Sequence, residues 1–197
     1  MPAVDRRKQV LEAASKSFAL FGYKATTMEQ VAKIANVGKG TIYTFFTNKE
    51  ELFDEILQSS IVEMRRISER EIREDRDFFD NLYRVLDALL EYRSEHELFI
   101  KLSQELRDIG TPMAHEGLAK VENSIIGYLQ GIVEHAISIG EIKPLDAQVV
   151  SFVMLKLYVA LTTDFNQLRE PLDKEQIKEY MMLFLAEGLK AESPGAR

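Results

Sequence analysis

The sequence predicts an all-α protein, and three observations carry that expectation. Apolar residues recur at steps of three and four through most of the chain, the spacing that gathers them on one face of a helix. Between those runs stand residues that end or open helices: Gly22, Asn36, Gly38, Gly110, Pro112 and Gly140. Few segments show the Val, Ile and Thr alternation of strands, and no internal repeat or low-complexity tract breaks the pattern.

Asp5 is placed to cap a first helix running to about Leu20, with Val10, Leu11, Ala14, Phe18 and Phe21 on its apolar side and Gly22 as its end. Arg6, Arg7 and Lys8 open this helix, where the helix dipole disfavours cations. Phosphates in front of them would compensate; a solvated helix end is the competing reading. Thr27 then caps a second segment with Met28, Val31, Ala32 and Ile34 on one side. Asn36-Val37-Gly38 stops it, because Asn and Gly accept turn conformations that other residues resist.

Lys39 to Phe46 resumes as a helix too short to be stable alone, so its value lies in what it presents. With Ile42 inward, Phe45 and Phe46 fall on the same side, while Gly40, Thr41, Tyr43 and Thr44 form the front. A small, hydroxyl-rich front with Lys39 and Lys49 at its ends suits a DNA groove, with base-edge contacts in the middle and phosphate contacts on the rim.

Asn48 followed by Glu51 has the pattern of a capping box for a fourth helix through Leu52, Phe53, Ile56, Leu57, Ile61, Met64 and Ile67. Mixed charges dominate from Glu63 to Asp77, and no Gly/Ser or Pro-rich linker appears. A domain boundary is therefore expected on this helix, with residues 1–48 as a DNA-binding head and 49–197 as the body. Phe78 to Leu90 and Leu98 to Ile109 follow as amphipathic helices, and Thr111-Pro112 opens a long one that stops at Gly140.

The segment from Val149 to Leu161 has only Ser151 and Lys156 as strongly polar residues and is apolar nearly all round. With the final helix, Lys174 to Lys190, it is expected to build a four-helix interface between two copies, carried by Phe152, Leu155, Val159, Tyr180 and Phe184. A central core helix of a monomer is the competing arrangement.

The net charge of −7 divides unevenly. Residues 1–50 hold eight Lys or Arg against four acids, a balance of +4, which leaves −11 for the rest: a basic head on an acidic body. Cysteine is absent, so disulfides, thiolate metal sites and Cys nucleophiles are excluded. His96, His115 and His135 lack metal-ligand or triad spacing, and Glu105 with Asp108 reads as a pair of surface acids. No enzyme, metal or cofactor is expected. The apolar runs fall short of a membrane span and the N-terminus is charged, so a cytoplasmic protein without a membrane partner is expected.

Phe21-Gly22-Tyr23, Thr26-Thr27, Val31-Ala32, Ala35, Val37, Lys39-Gly40-Thr41-Ile42-Tyr43, Phe46 and Asn48-Lys49-Glu50-Glu51-Leu52 together closely resemble the TetR family of bacterial transcriptional repressors. The resemblance covers about the first quarter of the chain. It implies about nine helices, a three-helix head with a helix-turn-helix, and a variable body that binds an effector and dimerises. It further implies a homodimer on a double-stranded DNA operator, with Thr27, Tyr43 and Lys49 at phosphates and Lys39, Gly40, Thr41 and Thr44 near bases or the adjoining backbone. Gly38 stands where Ser is common, and Phe45 where His or Tyr often touches phosphate.

The same resemblance implies a small molecule lodged in the body. Leu86, Leu90, Phe99, Leu102, Ile125 and Phe152 would suit a lipophilic guest, with Tyr128 among the aromatics that suit a stacked cation, although each is also at home in a plain core. Leu102 to Arg107, LSQELR, with the Gly140-Glu141-Ile142 turn, resembles acyl-coenzyme A-responsive regulators of fatty-acid degradation, which would set Arg107 on a phosphate and Gln104 on an amide.

Overall fold

A computed structural model describes residues 5–190, the side chains of 93–96, 103, 106, 107 and 167 excepted. The described residues form nine helices and no strand: α1 (Arg6–Ala25), α2 (Met28–Ile34), α3 (Lys39–Tyr43), α4 (Lys49–Glu71), α5 (Phe78–Glu91), α6 (Arg93–Asp108), α7 (Pro112–Ser138), α8 (Ala147–Val159) and α9 (Lys174–Leu189). α8 continues through a π turn, Ala160–Asp164, into Phe165–Leu168.

The helix starts follow local chemistry. Asp5 accepts the amides of Arg7 and Lys8, Asp146 those of Gln148 and Val149, and Asp173 forms a full capping box with Gln176. At α4 the expected box is altered: Asn48 takes the Glu51 amide at 2.8 Å, but the Glu51 carboxylate reaches one residue further back, to the Thr47 amide at 2.7 Å. At Gly22, φ 81° and ψ 175°, the backbone leaves the helical region, so the first run of α1 ends there as expected, and a further turn carries the element to Ala25.

The chain divides into two compact units, Met1–Glu63 with Tyr92–Val121, and Met64–Glu91 with Glu122–Arg197. The first unit thus holds more than the 1–48 head expected from sequence, since α6 and the start of α7 belong to it. A head of α1–α3 alone would bury too little apolar surface to be stable. α1 packs along α6 and on α2, and Phe18, Phe53, Leu57, Leu98 and Leu102 are all at most 1% exposed. Phe18, Tyr23 and Phe53 form a ring cluster with centroids 4.9–6.0 Å apart, a geometry in which each pair adds about 0.5–1.5 kcal/mol to its burial.

The second unit is built on Phe78, Phe79, Leu86, Val133, Ala136, Val150, Met154, Ile177, Met181 and Leu185. α8 presents Val150 and Met154 to this core and buries Ser151 and Leu155 beside them in sequence, whereas Val149, Phe152 and Val153 are 47–58% exposed. The expectation of an all-round apolar helix therefore resolves into one buried and one open face. It also corrects the expected membrane limit: Ala147–Asp164 reaches 18 residues at a mean hydropathy of 1.2, yet it carries Lys156, paired with Glu122, and packs into this core. In the π turn, the Thr162 hydroxyl donates to the Tyr158 carbonyl and the Asn166 amide to that of Thr162, each at 2.7 Å, so side chains take up carbonyls that the widened turn releases.

One ionic cluster braces α5 against α9. Lys178 is 3% exposed, and its ammonium donates to Asp87 at 2.6 Å and pairs with Glu175 at 2.7 Å. Burial alone would pull its pKa down, but the bonds from Asp87 and Glu175 outweigh that and hold it above the usual lysine value. Asp87 also pairs with Lys174, and the bonds from Lys174 and Lys178 hold its carboxyl below the usual range. A depressed carboxyl contributes stability above its unfolded pKa of about 3.9 and loses it as pH falls toward the folded value. Asp87→Asn should therefore melt below wild type at neutral pH, with the gap closing below about pH 4. A gap that stays constant from pH 7 to 3 in thermal denaturation would sink this assignment.

Candidate nucleic-acid interface

α2 and α3 form the helix-turn-helix. Thr27 caps α2 by accepting the Gln30 amide at 3.2 Å, and Val31 and Ala32 face inward. The turn rests on Asn36, at φ 52°, a left-handed conformation that Asn tolerates better than most residues. α3 starts at Gly38 without a side-chain cap and is anchored by Ile42, 0% exposed, with Phe46 at 2% just beyond. Phe45 is half-buried, as its place beside Ile42 predicts.

The opposite side is open. Lys39, Gly40, Tyr43 and Thr44 are exposed and Thr41 half so. The Thr44 hydroxyl donates to the Thr41 carbonyl at 2.6 Å, and a Cβ added at Gly40 would meet no atom within 4 Å. Lys39 pairs with Glu29, which raises the lysine pKa and lowers that of the carboxyl. Lys39 is thus a charged donor, but a phosphate must draw it from Glu29.

Two cations expected at phosphates are engaged within the protein. Lys49 donates to the carbonyls of Tyr23 at 2.9 Å and Thr26 at 3.0 Å and lies 4.2 Å from the Tyr23 ring centre. Lys49 thus closes the α1–α2 corner, and of its three N–H donors one is left over for a phosphate. Arg7 pairs with Glu55 at 2.8 Å and stacks on Phe46, tying α1 to α4. The corner holds further bonds. Tyr23 donates to Glu50 at 2.6 Å, Thr26 donates to the Gly22 carbonyl at 2.8 Å and meets the Ser17 hydroxyl at 3.1 Å. Burial, and then the Glu50 bond, push the Tyr23 hydroxyl pKa up. Glu105, read from sequence as a surface acid, is 6% exposed.

The residues expected to line an effector site divide between the units. Phe99, Leu102 and Gln104 lie in the first; Leu86, Leu90, Ile125, Tyr128 and Phe152 lie in the second. Leu102 and Leu86, 0% and 4% exposed, are core, and Leu90 packs on the core that holds Leu86. Gln104, Phe99 and Ile125 are half-buried, and the Arg107 side chain lies outside the described residues. Tyr128 donates to Ser68 at 3.1 Å beneath Arg65. Phe152 faces outward rather than into a pocket. An open cleft of about 500 Å³ in the second unit is lined by ionic groups, Arg70, Glu71, Arg84, Asp87, Glu91 and Lys178 among them, and includes none of these residues.

Of the expected dimer residues, Phe152, Tyr180 and Phe184 are 47%, 41% and 58% exposed, and the last two stack at 6.2 Å. Val159 is half-exposed. Leu155 is 7% exposed and belongs to the chain's own core instead.

Residues 10–56 match the family model of bacterial regulatory proteins of the tetR family. The chain is 50% identical over 189 residues to the HTH-type transcriptional regulator YhgD of Bacillus subtilis, covering 96% of this chain and 99% of that one. A TetR-family regulator from Rhodococcus sp. superposes with a TM-score of 0.78 at 20% identity, over 92% of this chain and 97% of that one. The fatty acid degradation regulator FadR from Bacillus halodurans does so with a TM-score of 0.76 at 19% identity, over 94% and 97%. No enzyme stands among these relatives: this chain is a member of the TetR family of bacterial transcriptional regulators, with a DNA-binding helix-turn-helix.

Proposed function

We propose that the protein is a repressor that binds a palindromic operator as a homodimer in the cytoplasm and is released by a small effector, lipophilic or acyl-coenzyme A-like. Residues 1–48 read DNA, and 49–197 hold the effector and the dimer contacts. The observation that carries the DNA half is the α3 front, where Gly40 leaves open space between Lys39 and the exposed Tyr43 and Thr44. Nothing projects there, so the α3 backbone can approach base edges and phosphates closely. Support for the effector class comes from the LSQELR segment and from the resemblance to FadR, a regulator of fatty acid degradation.

Selection of genomic fragments by the purified full-length protein tests this reading. A palindrome should be enriched, and a panel of acyl-coenzyme A esters of varied chain length should release it. No enrichment would leave a dimeric helical ligand-binding protein with a lapsed head; enrichment without release would remove the effector class.

Gly40→Ala separates folding from reading. Ala is about 1 kcal/mol better than Gly in a helix interior, so the melting temperature should hold or rise. Operator binding should weaken about tenfold, because the methyl occupies the gap that the DNA enters. Unchanged affinity in a gel-shift titration would show that α3 does not approach DNA at this point.

A further inference from the structure

Glu105 stands in the last turn of α6, where a carboxylate meets the negative end of the helix dipole. It is also buried, at 6% exposure, which strips its water and is costly unless strong hydrogen bonds replace it. They do. Both carboxylate oxygens accept the Lys24 amide, at 3.1 and 3.2 Å, and Oε1 also accepts the Thr111 hydroxyl at 2.7 Å. Thr111 in turn takes the Ala114 amide at 3.4 Å, so the same hydroxyl begins α7. The bend at Gly22 turns the corner toward α6, and its lack of a side chain admits the carboxylate: a Cβ there would stand 2.5 Å from Glu105 Oε2.

We infer that Glu105 is a positioning residue for DNA reading, whose carboxylate fixes the α1–α2 corner and so the pitch of the helix-turn-helix. The inference rests on the DNA-binding role of the family. The corner is held from two sides, by Lys49 and Glu50 of α4 and by Glu105 of α6. Those two α4 residues carry side chains to Tyr23 and Thr26, whereas Glu105 alone among these groups reaches the Lys24 amide between them. Thr27, which caps α2, is three residues beyond that amide, and Thr26 is tied back to Gly22. Little slack remains between them. A shift at Lys24 is therefore carried into α2 and, through the fixed turn, into the α3 front. Glu105 touches no DNA in this scheme; it sets where the residues that do touch it stand.

The test uses full-length protein and three readouts: exchange of the Lys24 amide, melting temperature, and affinity for a duplex that the wild type selects from genomic fragments. Glu105→Ala should speed Lys24 exchange at least tenfold while the amides of Val31 and Ile42 keep their protection. Affinity of the folded fraction should fall about tenfold, the scale of one lost charge-assisted bond, with the salt slope unchanged because the phosphate contacts remain in kind. Glu105→Gln, which keeps an acceptor for Lys24, should recover most of the exchange protection and part of the affinity. Glu105→Asp, one methylene short, should behave like the Ala variant. If Glu105→Ala does not fold, Thr111→Val is used; removing one of the carboxylate's partners, it should give a smaller change of the same sign in both readouts. Affinity within twofold of wild type, a loss fully accounted for by unfolded protein, or unaltered Lys24 exchange overturns the proposal. A wild type that selects no duplex overturns the DNA reading itself, and Lys24 exchange still decides whether Glu105 holds the corner.

Discussion

Phe184→Arg is expected to convert the proposed dimer into a folded monomer of 22.6 kDa. α8 and α9 pack on each other, and their outward faces carry Val149, Phe152, Val153, Tyr180, Leu183 and Phe184, all 41–58% exposed. Single exposed apolar residues need no explanation, but a group of this size on two packed helices marks a surface that something covers. A second copy is the proposed occupant, and the stacked Tyr180–Phe184 pair is its aromatic anchor. In a two-fold interface every substitution acts twice, and a buried aromatic anchor contributes about 2 kcal/mol or more per copy, so dimer affinity should fall roughly thousandfold. Placing a guanidinium against an apolar partner adds a desolvation cost in the same direction.

Because Phe184 is more than half exposed in the single chain, its helical signal should be unchanged. Operator binding should fall by about a hundredfold or more, since the second half-site is no longer delivered at the high effective concentration that a dimer supplies. Sedimentation equilibrium at micromolar protein checks the first part; a dimer there would refute the interface. Leu155→Ala is the contrast. Leu155 is 7% exposed within its own chain, so it should cost about 2–5 kcal/mol of stability and leave the dimer contacts intact.

Leu155 and Phe152 also show where sequence reading stops. Periodicity names the inner face of a helix only when the outer face is polar, and from Val149 to Leu161 almost nothing is. Which side packs inward is then decided by α9 and α7, which the segment itself does not encode. The helix-turn-helix was legible because its determinants are local: Thr27 caps a helix three residues on, Asn36 takes the left-handed turn, and Ile42 and Phe46 lie one turn apart. The bonds that Lys49 makes within the protein were not legible, because its partners, the carbonyls of Tyr23 and Thr26, lie 26 and 23 residues away. Glu105 is the extreme case. Its partner amide is 81 residues distant, and at helical spacing from Asp108 it looked like any other acid on a charged surface. The effector site stayed obscure for a different reason: large apolar side chains look alike in a pocket and in a core, and Leu86 and Leu102 proved to be core.

Gly22→Ala is expected to be the most damaging single methyl in the first unit. At φ 81°, ψ 175°, Gly22 occupies a region essentially restricted to glycine, and any other residue there costs about 1–3 kcal/mol from the backbone alone. The added Cβ would also lie 2.5 Å from Glu105 Oε2 and 3.6 Å from its Cδ. Glu105 is not a loose surface chain that can swing clear, since it is held by Lys24 and Thr111. Displacing it leaves a buried carboxylate and a backbone amide short of their bond, a further cost of about 1–3 kcal/mol. The two together take roughly 2–6 kcal/mol from a total stability of about 5–15, which lowers the melting temperature by roughly 10 °C for a chain of this size. Operator binding should be lost with it. Adding Glu105→Ala to Gly22→Ala separates the two contributions: the clash disappears while the backbone strain stays, so the double variant should be less destabilised than the sum of the single ones by about 1–2 kcal/mol. Strict additivity in urea denaturation would mean that Gly22 is required by its backbone conformation alone, and that the close approach of Glu105 is incidental.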